Sequence, residues 1–186
     1  MDERGRPVLY AIATGSPAAR DLGRLVALAQ ADGWAACAIT SPDGRRFVDA
    51  EALAAATGHP VRSSYKDPAE PDALPPADGM IAAPITCNSL AKWAAGISDT
   101  LPLGLLVEAV GRGLPVVAMP FSNHAQIAFP AVQEAMRRLA GWGVRVLVGD
   151  EVYPQHEPGT GSAHVHRFPW SLAWREFLRH PWHSAR

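Results

Sequence analysis

The chain has 186 residues, 48% apolar and 19% charged, enough to bury a sizeable core and too apolar for a disordered chain. Lys and Arg total 17 against 18 Asp and Glu, a formal charge of −1, so no basic excess is available to neutralise a phosphate backbone and nucleic-acid binding is disfavoured. No run approaches the ~18 apolar residues of a membrane span, Met1–Arg6 is charged and Pro7–Ala13 is too short for a signal peptide, and the 2 Cys form no disulfide framework; a cytoplasmic location is expected.

Pro7–Ala13 is a short apolar run ending at Thr14-Gly15-Ser16, which predicts a buried strand leading into a tight turn. Pro17 suits the first turn of a helix capped by Ser16, and Leu22, Leu25, Val26 and Ala29 supply its apolar stripe. Gly33 stops that helix and Trp34–Thr40 reads as a second strand, so a parallel, right-handed strand–helix–strand unit is expected. Asp49–Thr57 is a short alanine-rich helix closed by Gly58. The proline-rich stretch 65–78 is a loop, and Gly79–Ala83 is a third strand ended by Pro84. Two helices follow, with faces Leu90, Trp93, Ala94, Ile97 and Leu103, Leu106, Val107, Val110. Pro115–Met119 is a fourth strand, Pro130 opens a helix with the stripe Val132, Ala135, Met136, Leu139, and Gly143–Val148 is a fifth strand. Beyond Gly149 the pattern is lost, apart from a Trp-rich stretch, Pro169–His183, that predicts a terminal helix around Leu172, Phe177 and Leu178.

Alternating strands and helices give an α/β fold: a single domain over 1–186, less regular over 150–186, built as a three-layer α/β/α sandwich around a doubly wound, mostly parallel sheet of flavodoxin or Rossmann type. Ligands of such sheets sit beyond the carboxyl ends of the strands, which directs attention to Thr14–Pro17, Thr40–Phe47, Pro84–Ser89 and Pro120–Phe129. Thr14-Gly15-Ser16, with Thr40 and Ser41 beside it, offers hydroxyls and free N–H groups suited to a phosphate, although such a turn also serves simply as a cap. No Lys follows the glycine and the three-glycine dinucleotide fingerprint is absent. In Pro84-Ile-Thr-Cys-Asn-Ser89, capping accounts for one polar residue but not for Thr86, Asn88 and Ser89 together.

Pro84-Ile-Thr-Cys-Asn-Ser89, running into Leu90-Ala-Lys-Trp-Ala-Ala-Gly-Ile-Ser-Asp99-Thr-Leu101, resembles the Pro-Ala-Ser-Ala-Asn-Ser/Thr signature of the homo-oligomeric flavin-containing cysteine decarboxylases, a family that includes phosphopantothenoylcysteine decarboxylase and the lantibiotic peptide decarboxylases. Thr14–Ala19, Phe47–Leu53 and Met119-Pro-Phe-Ser-Asn123 resemble three further segments of that family, in the same order, so the likeness covers about residues 7–148. The resemblance implies bound FMN and a trimer or an assembly of trimers acting on a small-molecule or peptide substrate. It places Gly15, Ser16, Thr40 and Ser41 at the flavin phosphate and ribityl chain, and Pro84, Thr86, Asn88 and Ser89 at the isoalloxazine or substrate. Asp99 matches the family Asp, and Asn123 the residue that addresses the substrate carboxylate.

The chain departs from that pattern in two places. The loop Lys66–Asp78 lacks the family His, for which His124, next to Asn123, is the best-placed substitute and His59 a poorer one. Gly149–Gly161 lacks the flap Cys of the pantothenate-pathway members; Cys87 reads as packing, and the oxidative reaction that leaves an unsaturated thiol is favoured over coenzyme A biosynthesis. His164-x-His166 is too sparse for a metal site, the tryptophans Trp170, Trp174 and Trp182 read as core or subunit packing, and Arg137-Arg138 as a solvated helix face. The expected activity is an FMN-dependent oxidative decarboxylase (a lyase); the alternatives are a non-catalytic or regulatory flavin-binding protein and, third, a flavin prenyltransferase.

Overall fold

A computed structural model of the chain describes residues 1–180. Five parallel strands, β1 (Val8–Ala13), β2 (Ala35–Thr40), β3 (Gly79–Ile85), β4 (Val116–Pro120) and β5 (Arg145–Val146), lie in the order β2-β1-β3-β4-β5. Every residue of β1–β4 is buried, as strands covered on both faces must be. Side chains alternate between two cores. Leu9, Ala11 and Ala13 face one layer and Val8, Tyr10 and Ile12 the other, the period of two that a strand imposes.

The first layer holds α1 (Gly23–Ala31) and α2 (Ala50–Thr57); the second holds α3 (Cys87–Ala94), α4 (Leu101–Gly111), the short α5 (His124–Ala128) and α6 (Pro130–Gly141). Gly58 closes α2 as the sequence announces, while Asp49, expected as its first residue, stands just outside it as the cap. Asp49 accepts from Ala52 N–H, and Gly58 closes α2 in the left-handed region at φ 74°. The stripe Val132, Ala135, Met136, Leu139 of α6 is buried.

Several expectations are corrected. Pro17–Asp21 is a 3-10 turn, and α1 begins only at Gly23. Strand β3 runs through Pro84 to Ile85, because the missing N–H of Pro84 costs nothing where its carbonyl still accepts from Thr14 N–H at 2.9 Å; the ladder to β4 shifts register there. Helix α3 ends at Ala94, and Ile97 lies outside it, exposed. Strand β5 keeps only two of the six expected residues, pairing with Val117 and Ala118 at the sheet edge.

The C-terminal segment completes the first layer. After α7 (Gly161–His164), α8 (Trp170–Leu178) buries Trp170, Ala173, Trp174 and Phe177, while Leu178 is exposed. Trp34 meets Trp174 and Phe177 edge-on at 5.8 and 5.3 Å, and Trp174 Nε1 donates to Asp32 at 2.6 Å. Trp170 and Trp174 are therefore core packing; Trp182 lies outside the described residues. The Phe177 ring fills the space above Gly79, where an added Cβ would fall 2.5 Å from Cζ. Phe177→Ala is expected to cost about 3–5 kcal/mol, read as a lower urea midpoint at unchanged m, whereas the neighbouring Leu178→Ala stays within about 0.5 kcal/mol.

Candidate functional site

The sheet order places the switch in winding direction between β1 and β3, so the crossovers leave in opposite directions and a crevice opens beyond Ala13 and Ile85. Thr14 spans its floor. Its N–H donates to Pro84 O at 2.9 Å, and its Oγ1 accepts from Thr86 N–H at 2.8 Å. The loop after β2 leans on the same point: Ser41 N–H donates to Ala13 O at 3.0 Å and Gly44 N–H to Ser41 Oγ at 3.0 Å. A Cβ on Gly44 would sit 2.7 Å from Ala13 O, and one on Gly15 would sit 3.0 Å from Asp43 Cβ. Only glycines allow these two loops to close together.

Two clefts meet here and share Gly15, Thr86 and Asn88. The larger, about 530 Å³, is further lined by Ser41, Arg46, Ser89 and Lys92. The smaller, about 240 Å³, is lined by Ser16, Cys87, Phe121, Ser122, Gln126, His156 and Gly161. Ser16 occupies the cap position of its 3-10 turn, yet its hydroxyl makes no cap bond; Oγ is buried and unpartnered, as is Thr40 Oγ1. Capping thus fails to explain Ser16, and a buried hydroxyl without a partner is costly in a chain that binds nothing there.

The remaining expected residues divide into two groups. Thr86 Oγ1 caps α3 by accepting from Ser89 N–H at 3.2 Å and donates to Ser89 Oγ at 3.1 Å, while the exposed Asn88 lines both clefts. Pro84 is buried in β3, below the crevice, and Thr40 is buried at the end of β2. Asp99 stands outside the cleft, paired with Lys92 of its wall at 2.5 Å. Asn123 caps α5 through Oδ1, which accepts from Gln126 N–H at 3.0 Å. The His124 ring points away, 51% exposed, with Nδ1 3.5 Å from Glu157 Oε2. His59 lines neither cleft.

Sequence reasoning missed Arg46 and Lys92, which bring positive charge to the larger cleft, and His156, which closes the smaller one. Arg46 lies in the Thr40–Phe47 loop and Lys92 in the helix after Ser89, but only packing brings them to one cleft. Burial pushes the Cys87 thiol above the usual range, although the adjacent Ser122 hydroxyl pulls it down, so the thiol stays protonated at neutral pH. The pH–rate profile for alkylation of Cys87 by iodoacetamide, followed by mass spectrometry, is expected to have its midpoint above the ordinary thiol range and to move higher still in Ser122→Ala.

These residues form a cradle of hydroxyls, two cations and a polar amide at a strand switch point. The Flavoprotein family profile matches residues 2–167. The coenzyme A biosynthesis bifunctional protein CoaBC of Thermococcus kodakarensis is 27% identical over 148 residues, 77% of this chain, which spans only 36% of that relative's length. The structure is similar to the FMN-dependent cysteine decarboxylase SpaF, with a TM-score of 0.68 at 24% identity over 91% of this chain and 98% of the other. It is also similar to a dodecameric FMN-dependent Ubix-like decarboxylase from Escherichia coli O157:H7, with a TM-score of 0.66 at 20% identity over 91% and 93%. The flavodoxin-like α/β sandwich is thus shared with these structures, and by the match over most of its length the chain belongs to the Flavoprotein family.

Proposed function

We propose that the chain binds FMN in the crevice between β1 and β3 and oxidatively decarboxylates a substrate ending in a cysteine-like carboxylate. The observation that carries this reading is the buried, unpartnered Ser16 hydroxyl at the switch point. Gly15, Ser16, Thr40 and Ser41 would hold the phosphate and ribityl chain, with Arg46 balancing the phosphate charge, since Lys92 is already paired with Asp99. Thr86, Asn88 and Ser89 would lie beside the isoalloxazine or the substrate, with Pro84 buried in β3 beneath them. At about 530 and 240 Å³ the two clefts together fall within the roughly 300–1,000 Å³ of small-molecule sites. When bound, the flavin supplies a two-electron sink that the side chains themselves lack.

The chain's own residues bind and orient. Asn123 uses Oδ1 in its helix cap, which leaves the amide N–H2 as donor for a carboxylate. Phe121 lines the smaller cleft and stacks at 6.1 Å on the buried Tyr153, whose O–H donates to Pro120 O. The named activities of the similar proteins support the decarboxylase reading, SpaF and the Ubix-like protein both being FMN-dependent decarboxylases. A non-catalytic flavin-binding protein is the second reading, favoured by the outward-facing His124 ring and by the absence of His from 66–78. We also propose a trimer or an assembly of trimers, since Phe129, Trp142 and Ile97 are 60%, 51% and 44% exposed. Among the described residues, no helix is long and apolar enough to cross a membrane.

Purified protein is expected to take up FMN, seen in its visible spectrum, and to release CO2 with loss of two hydrogens from peptides ending in cysteine. Gly44→Ala, which sets a methyl group against Ala13 O, should weaken FMN uptake by about tenfold or more, the equivalent of about 1.4 kcal/mol. Asn123→Ala should abolish CO2 release while FMN remains bound; a flavin-loaded protein inert towards such peptides and phosphopantothenoylcysteine points to the second reading. Sedimentation of the full chain checks the assembly: a monomer at micromolar concentration contradicts it.

A further inference from the structure

Among the described residues, His156 is the one histidine in the wall of either cleft, and 8% of its surface is exposed. It is held firmly. Its backbone bridges to Asn123, its carbonyl accepts from His124 N–H at 3.0 Å, and its ring leans on Phe121 at 4.9 Å and on His164 at 5.9 Å. Nδ1 is buried without a hydrogen-bond partner. Nε2 lies against Gly161, where a Cβ would stand only 3.0 Å away, so the glycine keeps that nitrogen uncovered at the cleft wall. A structural histidine ties down its ring nitrogens; this one is clamped by rings and backbone and leaves its nitrogens unused.

We propose that His156 is the proton-transfer group of the smaller cleft, with Nε2 accepting the proton of the substrate thiol. The inference rests on the decarboxylase reading above and supplies the base that the loop 66–78 lacks. In this step the substrate S–H bond breaks and an Nε2–H bond forms, leaving a thiolate beside an imidazolium; no electrons are transferred, and the later two-electron oxidation is assigned to FMN. Titratable groups around the ring are His124 on α5, His164 on α7, Glu157 next in the chain and Cys87 at the start of α3. Burial first, then the neighbouring His164 and His124, hold His156 below the ordinary 6.5, so it is neutral and able to take a proton at neutral pH. The rate must then fall as pH drops through that lowered value and the imidazole charges.

The test uses full-length, FMN-loaded protein and an N-acetylated pentapeptide ending in cysteine. His156→Gln should bind FMN within twofold of the parent, lose at least about 100-fold in CO2 release, and lose the acid limb of the pH–rate profile. Gly161→Ala, which keeps the imidazole but crowds Nε2, should also slow turnover with FMN binding intact. His124→Gln should leave the acid limb in place. As a readout independent of turnover, the His156 Cε1–H resonance should titrate below the ordinary histidine range, with its midpoint rising when 3-mercaptopropionate is added, because an anionic thiolate or carboxylate beside the ring favours its charged form. Turnover within twofold in His156→Gln, an acid limb that vanishes in His124→Gln, or a midpoint unmoved by the thiol would overturn the inference while leaving FMN binding and decarboxylation standing. Failure of the parent to decarboxylate any cysteine-ended peptide would remove both readings together.

Discussion

The site depends on how Thr14 ties β1 to β3. Parallel strands wound outward in opposite directions expose their carboxyl ends, and the backbone groups there need partners. Thr14 meets that need by donating its N–H and its hydroxyl to Pro84 O and accepting from Thr86 N–H. Pro84 brings no donor of its own, so the joint closes without an orphan N–H. The same bonds fix where α3 begins, and with it the positions of Thr86, Asn88 and Ser89. Replacing this joint with ordinary packing would leave a sheet with two cores but no defined crevice.

Around that joint the chain gives up local stability. Gly15 and Gly44 provide no side-chain packing, yet they bring two loops within van der Waals reach. The hydroxyls of Ser16 and Thr40 are buried without partners, although each lies one or two residues from well-satisfied backbone. These departures from good packing cluster at one end of a well-packed sheet, where the two clefts meet.

The irregular C-terminal segment serves both needs. Its helix α8 lays Trp174 and Phe177 over Trp34 and seals one face of the sheet. The loop before it sends Tyr153 and His156 towards the carboxyl ends of the strands, where Phe121 receives both rings. The segment Gly149–Gly161, which has no cysteine, therefore contributes His156 and Gly161 to the wall of the smaller cleft.

The sequence by itself determined the sandwich. Continuous apolar runs of strand length and stripes at helical spacing depend only on local periodicity, and they located β1 to β4, α1, α4 and α6. It also named Gly15, Ser16, Thr86, Asn88 and Ser89, because polar residues at strand ends stand out against apolar neighbours. It did not reveal the two-residue length of β5 or the end of α3 before Ile97, since edge pairing and helix fraying are settled by contacts across the fold. Only the tertiary structure decided which hydroxyls remain unpaired, that Arg46 and Lys92 share one cleft, that His124 faces outward, and that His156, 33 residues beyond Asn123, bridges back to it. Local pattern carries periodicity, but the partner or vacancy around a side chain depends on segments far apart in the chain, and that information exists only once they have packed.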